Sequence, residues 1–120
     1  MRGDKARASR RLAVVALLAA GLSGVSAAAL AAGNATSGYV SNIEPASWGV
    51  VYFNQNGTRT GQPACATQNR WSINVTTAKG QAMLSVLLTA YASGKPISIQ
   101  GTGDCRDWPD TESIDYFFLP

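Results

Sequence analysis

A short apolar run behind a basic start limits what this chain can fold into. Residues 12–22 are strongly apolar, and five lysine or arginine side chains precede them. A basic start, an apolar core of this length and an Ala-x-Ala site are typical of a secretory signal peptide. A membrane-spanning helix needs about 20 apolar residues. We therefore predict a signal peptide over residues 1–31, cut after Ala31 or alternatively after Ala29, and a secreted or periplasmic protein without a membrane span.

Removal of this leader changes the charge of the chain. The whole sequence has a formal net charge of +3, but from Gly33 onward five basic residues stand against six acidic ones, a net charge of −1. No basic stripe is left to neutralise a phosphate backbone, so nucleic acid is not an expected partner. The remaining length suits one small domain. We predict a flexible start over residues 32–37 and a single domain over residues 38–120.

The mature chain has two cysteines and no histidine. In an exported chain, Cys65 and Cys105 are expected to form a disulfide. The bond would close a loop of about 41 residues and stabilise the folded domain by roughly 4 kcal/mol in the chain-entropy model. Without histidine, Ser-His-Asp and Cys-His catalysis and histidine metal sites are excluded. We expect no enzymatic activity, cofactor or bound metal.

Alternating apolar residues predict most of the secondary structure. Strands are expected at residues 39–45, 48–55, 97–101 and 113–120. A third strand is expected to include either ACAT (64–67) or RWSINV (70–75), and both Trp48 and Trp71 are expected in the core. A helical pattern follows Thr76 or Thr77 and ends at Gly94. The order β-β-β-α-β-β predicts an α+β, mainly β fold: a small five-stranded OB-like Greek-key barrel with one helix between strands three and four. A generic α+β sandwich is the alternative.

Two segments resemble a known family. The stretch ACATQNRWSI and the helix end AYASGKPISIQ are similar to the central part of the B subunits of pertussis-like and subtilase-type AB5 toxins, and to small secreted bacterial proteins with the same pattern. The resemblance covers residues 63–105. It implies an OB-fold, a ring of five subunits and binding of sialylated glycans near a serine such as Ser37 or Ser41. The residues flanking these serines differ from the family pattern, so the glycan site is not carried over.

The loop after the fourth predicted strand, TGDCRDWPDTE, contains the candidate ligand-binding residues Arg106, Asp107, Trp108 and Asp110. A tryptophan offers a flat apolar face to a sugar, and carboxylates accept hydrogen bonds from its hydroxyl groups. Alternatively, Trp108 covers one end of the barrel. The acidic residues could also bind calcium, but their spacing matches no EF-hand. Paired carboxylates could cleave a glycoside, but nothing nearby would raise a pKa.

The predicted helix has no charged residue between Gly80 and Gly94. Its apolar arc exceeds the ≳ 100° needed to cover a small barrel. We expect Leu84, Leu87, Leu88 and Tyr91 to face the barrel. The candidate oligomer interface consists of Ala82, Met83, Val86 and Ala90. The sequence thus favours an exported homo-oligomer that binds a glycan or a protein. The alternative is a small structural or interaction protein of the bacterial envelope that acts through its oligomer interface alone.

Overall fold

Residues 31–120, the part of the chain that the computed structural model describes, contain seven strands and one α-helix. The predicted signal peptide lies outside these residues, apart from Ala31. No helix within them is long and apolar enough to cross a membrane. The elements are β1 (Asn34–Gly38), β2 (Val40–Ala46), β3 (Val50–Gln55), β4 (Arg59–Thr60), β5 (Trp71–Asn74), α1 (Ala78–Ser93), β6 (Ile97–Gly101) and β7 (Glu112–Phe118), with a short 3-10 turn over Ser47–Gly49 between β2 and β3.

The strands form one sheet in the order β2-β3-β5-β7-β6-β1-β4. All pairs are antiparallel except β5 and β7, which run parallel. The mainly β class and the single helix are confirmed for the described residues. The sheet is not closed, so the predicted barrel is not confirmed. Strands β1 and β4 were not predicted, and β1 occupies most of the segment that was expected to be flexible.

Helix α1 begins and ends where its local sequence indicates. The Thr77 hydroxyl caps the helix by accepting a hydrogen bond from the Gly80 N–H at 3.0 Å. At the other end Gly94 has a φ of 63°, and the Lys95 N–H donates to the Ala90 carbonyl at 2.9 Å. Glycine adopts this left-handed conformation without a steric cost. Both predicted ends of the helix are therefore confirmed.

The core lies between the sheet and the inner side of α1. Its largest side chains are Trp71, Phe53, Ile73, Leu87 and Ile97. Trp71 was predicted correctly, but Trp48 is 81% exposed at the tip of the β2–β3 hairpin. This prediction was wrong because the chain turns at Trp48 before β3 begins.

The buried side of α1 differs from the predicted one. Ala90 is completely buried, so it cannot belong to an exposed interface, and that prediction was wrong. Leu88 and Tyr91, which were expected to cover the sheet, are exposed. Leu87 is completely buried and Leu84 packs against the core, so the prediction is confirmed for these two residues, and Ala90 joins them on the buried side.

A bulge in β7 changes which side chains face the core. Ile114 pairs with Gly101 and Tyr116 with Gln100, so Asp115 is one extra residue in β7. An extra residue reverses the alternation of the strand beyond it. Phe117 therefore packs against the core while Tyr116 is exposed. Ile114, Tyr116 and Phe118 therefore do not share one face of β7, as an uninterrupted alternation would require.

Candidate functional site

The loop between β6 and β7 is held firmly against the segment before β5. Cys65 and Cys105 form the predicted disulfide, with their Cα atoms 6.2 Å apart. The Gln68 N–H donates to the Asp110 carbonyl at 3.1 Å, and the Asp107 N–H donates to the Ser113 hydroxyl at 3.1 Å. The loop is thus fixed at several points before any ligand arrives, which reduces the entropy lost on binding.

Three aromatic side chains from three segments meet beside this loop. The Trp108 ring lies 5.5 Å from the Trp48 ring and 5.7 Å from the Tyr52 ring, measured between centroids. We call Trp48, Tyr52 and Trp108 the aromatic surface. Tyr52 points outward because its strand neighbours Val51 and Phe53 are buried. One face of Trp48 packs on Trp108, and the rest of its ring is open to solvent.

The backbone holds Trp48 in an unfavourable conformation. Trp48 has φ 61° and ψ 25°, and Gly49 follows with φ 71°. Two successive positive φ angles are typical of type I′ hairpin turns, which favour Asn-Gly. A bulky residue in this region is an outlier that costs on the order of 1–3 kcal/mol. Such strain is commonest at functional sites, which makes Trp48 a candidate for ligand contact.

Trp108 begins a tight turn that keeps its ring in place. The Thr111 N–H donates to the Trp108 carbonyl at 3.2 Å, so residues 108–111 form a β-turn. Pro109 occupies the second position of this turn, where its fixed φ is favourable. The half-buried Trp108 lies between the other two rings of the aromatic surface.

Arg70 joins the aromatic surface to the loop. Its guanidinium carbon lies 3.9 Å from the centroid of the Tyr52 ring. Its Nε donates to the Thr111 hydroxyl at 2.9 Å, and one terminal nitrogen donates to the Asp110 carboxylate at 3.1 Å. The Thr111 hydroxyl, helped by Arg70, lowers the pKa of Asp110. Asp110 therefore stays ionised at neutral pH at the edge of the aromatic surface.

Asp104 and Glu112, near the two ends of the loop, each bind an arginine side chain. Arg106 donates two hydrogen bonds to Asp104, at 2.8 and 2.7 Å, and lowers the pKa of Asp104 to about 2. Glu112 is buried and bonded to Arg59. Among residues 31–120, no group of three acidic or cysteine side chains is arranged to hold a metal ion. Asp104 and Asp110 have lowered pKa values, the opposite of what a general acid needs.

The four predicted ligand-binding residues lie on two sides of the loop. Trp108 belongs to the aromatic surface and Asp110 lies at its edge. Arg106 and Asp107 line a cavity near the start of α1. Sequence reasoning missed Trp48 and Tyr52, which it placed in strands or in the core. Two signals were available: Gly49 after Trp48 indicates a turn, and alternation with Val51 and Phe53 places Tyr52 on the outer face.

Beneath the site, a buried ion pair joins four segments of the chain. The fully buried Glu112 carboxylate accepts hydrogen bonds from Arg59 at 3.0 Å and from the Gly33 and Gly103 N–H groups at 2.9 and 3.1 Å. The Arg59 guanidinium carbon lies 4.0 Å from the centroid of the Trp71 ring. A side chain at Gly33 would collide with the Glu112 carboxylate, so a larger residue there would have to displace this buried group. The ion pair anchors the first strand to the base of the β6–β7 loop.

Comparisons of the chain with protein-family models, curated proteins and solved structures found no match.

Proposed function

We propose that the protein is an exported, non-enzymatic module that binds carbohydrate on its aromatic surface. The observation that carries this proposal is the strained and exposed Trp48 packed on Trp108. A sugar ring can stack its C–H groups on the open indole face while its hydroxyl groups donate to a carboxylate. Asp110 is ionised. It accepts a hydrogen bond from Arg70, and the Arg70 guanidinium lies over the Tyr52 ring of this surface.

The strand pairing supports an OB-like arrangement. Strands β1 and β2 are separated only by Tyr39, so together they can be regarded as one bent strand. This bent strand pairs with β3 at one end and with β6 and β4 at the other. Counted in this way, the strand order from β2 to β1 begins and ends on the same strand, which favours a five-stranded Greek-key barrel although the sheet itself is not closed. Ligands of such barrels meet the loops between strands one and two and between strands four and five, which here carry Trp48 and Trp108.

Replacing Trp48 with asparagine tests the proposed sugar platform. Trp48→Asn removes an exposed ring and creates the Asn-Gly pair that a type I′ turn favours. Relief of about 1 kcal/mol of backbone strain offsets the lost ring contact, worth about 0.5–1.5 kcal/mol. We expect an unchanged melting temperature and loss of glycan binding, measured by differential scanning calorimetry and on a glycan array with the mature protein.

Tyr39→Asn is the matched control, because it removes another exposed aromatic ring outside the aromatic surface. It should leave binding intact. An array on which the wild-type protein binds no glycan refutes the proposed function. Glycan binding that survives Trp48→Asn refutes the role of the aromatic surface.

A second candidate function rests on the outer side of α1. Val86 is 41% exposed, and with Ala82, Met83 and Phe117 it lines a groove of about 170 Å³. An exposed apolar groove of this kind is typical of an interface. The groove therefore favours the second function, in which the protein is a homo-oligomer and acts as a structural or interaction protein through this interface.

A charge in this groove should disrupt such an oligomer. Val86→Lys places an ammonium group among apolar side chains, so association should be lost while the subunit remains folded. We expect multi-angle light scattering to give an oligomer for the wild-type protein and a monomer for Val86→Lys. Ala92→Lys is the control, because Ala92 is exposed on another side of α1 and should leave the oligomer intact. A wild-type monomer at tens of micromolar contradicts the prediction.

A further inference from the structure

A cavity of about 230 Å³ lies on the side of the β6–β7 loop that is lined by Asp107 rather than Trp108. Ile73, Met83 and Ile114 give it apolar walls. Polar side chains from the first turn of α1, from β7 and from the loop complete its lining. Apolar walls with a few convergent polar groups are typical of small-ligand sites.

The charged groups of the cavity are paired, with one exception. Lys79 bonds to Asp115 at 3.4 Å, and Arg106 bonds to Asp104. The Asp107 carboxylate forms no salt bridge or hydrogen bond with the described residues; only its backbone N–H is engaged. Together the lining and Asp104 carry a net charge of −1, from two cations and three carboxylates. The carboxylate without a salt bridge of its own is that of Asp107, which shares the nearby Arg106 with Asp104.

An unused donor completes this polar lining. The Asn74 side-chain oxygen accepts from both the N–H and the hydroxyl of Thr76, at 3.0 and 2.6 Å. Its NH₂ group has no partner among the described residues. The cavity therefore offers a carboxylate acceptor and an amide donor, a combination that suits a hydroxyl group.

We propose that this cavity is a second sugar subsite, which takes a neutral or amino-bearing pyranose and disfavours a carboxylated one; the inference rests on the proposed function. Asp107 accepts a hydrogen bond from a ligand hydroxyl or ammonium group, whereas a ligand carboxylate would face its negative charge. Asp107 and Trp108 are consecutive residues directed to the cavity and to the aromatic surface. One oligosaccharide crossing the loop can therefore contact both.

The test compares trimers of β-1,4-linked glucose, glucosamine and glucuronic acid, added to the ¹⁵N-labelled mature protein and followed by NMR. A hydrogen bond to a charged group contributes enough for roughly a tenfold difference in affinity. We expect the glucosamine trimer to bind at least about tenfold more tightly than the glucuronic acid trimer, with shifts at Thr102 and Asp107. Asp107→Asn keeps the shape of the side chain and should abolish this difference.

Ala92→Lys is the control, because it changes the net charge of the protein by the same amount as Asp107→Asn. Its position is about 20 Å along α1 from Lys79 at 1.5 Å per residue, so it should preserve the difference between the trimers. Equal binding of the charged trimers, or an unchanged preference in Asp107→Asn, overturns the inference. Shifts confined to the aromatic surface refute the subsite and leave the proposed function standing. The glycan array with Trp48→Asn tests the proposed function separately.

Discussion

Glu112→Gln should destabilise the protein by about 3–5 kcal/mol, because it leaves a buried guanidinium without its counter-charge. Glu112 is fully buried, and the Arg59 side chain is only 7% exposed. Arg59 Nε already lacks a hydrogen-bond partner among the described residues, and the other contacts of the guanidinium, with the Arg70 carbonyl and the Trp71 ring, supply no counter-charge. A domain of this size has a total stability of about 5–15 kcal/mol. Urea denaturation of the variant and the wild type measures the difference.

An exposed ion pair is the control for this experiment. Lys79→Gln breaks the exposed pair with Asp115 and should cost less than about 1 kcal/mol. The double variant Arg59→Met with Glu112→Gln removes both buried charges, so it should be more stable than the sum of the single changes indicates. A loss below about 1 kcal/mol in Glu112→Gln would contradict the anchoring role of the buried pair.

Loss of the disulfide should have an effect of comparable size. Cys65 is exposed and Cys105 half-buried, so replacing both with serine removes little packing and tests mainly the cross-link. Removing a native disulfide from a small secreted domain typically costs about 2–5 kcal/mol. For such a domain, this corresponds to a fall in melting temperature of more than about 10 °C. Calorimetry on the Cys65→Ser, Cys105→Ser variant measures it.

Chemical reduction of the wild-type protein provides the matched comparison. Reduction breaks the same bond without changing the sequence. The reduced wild-type protein and the double serine variant should therefore melt at similar temperatures. Mass spectrometry under non-reducing conditions checks that the wild-type bond is formed. Two free thiols after oxidative folding, or a fall of only a few degrees in the variant, would be evidence against a stabilising cross-link.

The features predicted correctly depend on short-range chemistry. Thr77 and Gly94 set the ends of α1 because each acts on backbone groups within a few residues. The strand over residues 97–101 follows from alternation bounded by Pro96 and Gly103. The disulfide follows from the predicted export together with the number of cysteines, since two cysteines allow only one intramolecular pairing.

The aromatic surface was only half predictable. Trp108 was identified from its own loop, where a proline and acidic residues surround it. Trp48 belongs to the same surface, but its exposure depends on the place where the β2–β3 hairpin turns. Tryptophan side chains are largely buried on average in folded proteins. The two left-handed residues Trp48 and Gly49 override that preference by directing the ring into solvent.

The sequence alone determined the cysteine pairing, the limits of α1, most of the strands and the charge balance, because these properties depend on residue counts and on neighbours within a few positions. The tertiary structure alone decided which side chains are buried and which meet. Arg59 and Glu112 are 53 positions apart and pair only through the folded sheet. Asp115 reverses the faces of β7 because Gly101 and Gln100 fix the register across the strands. Burial depends on partners distant in the chain, and local pattern carries no information about where those partners lie.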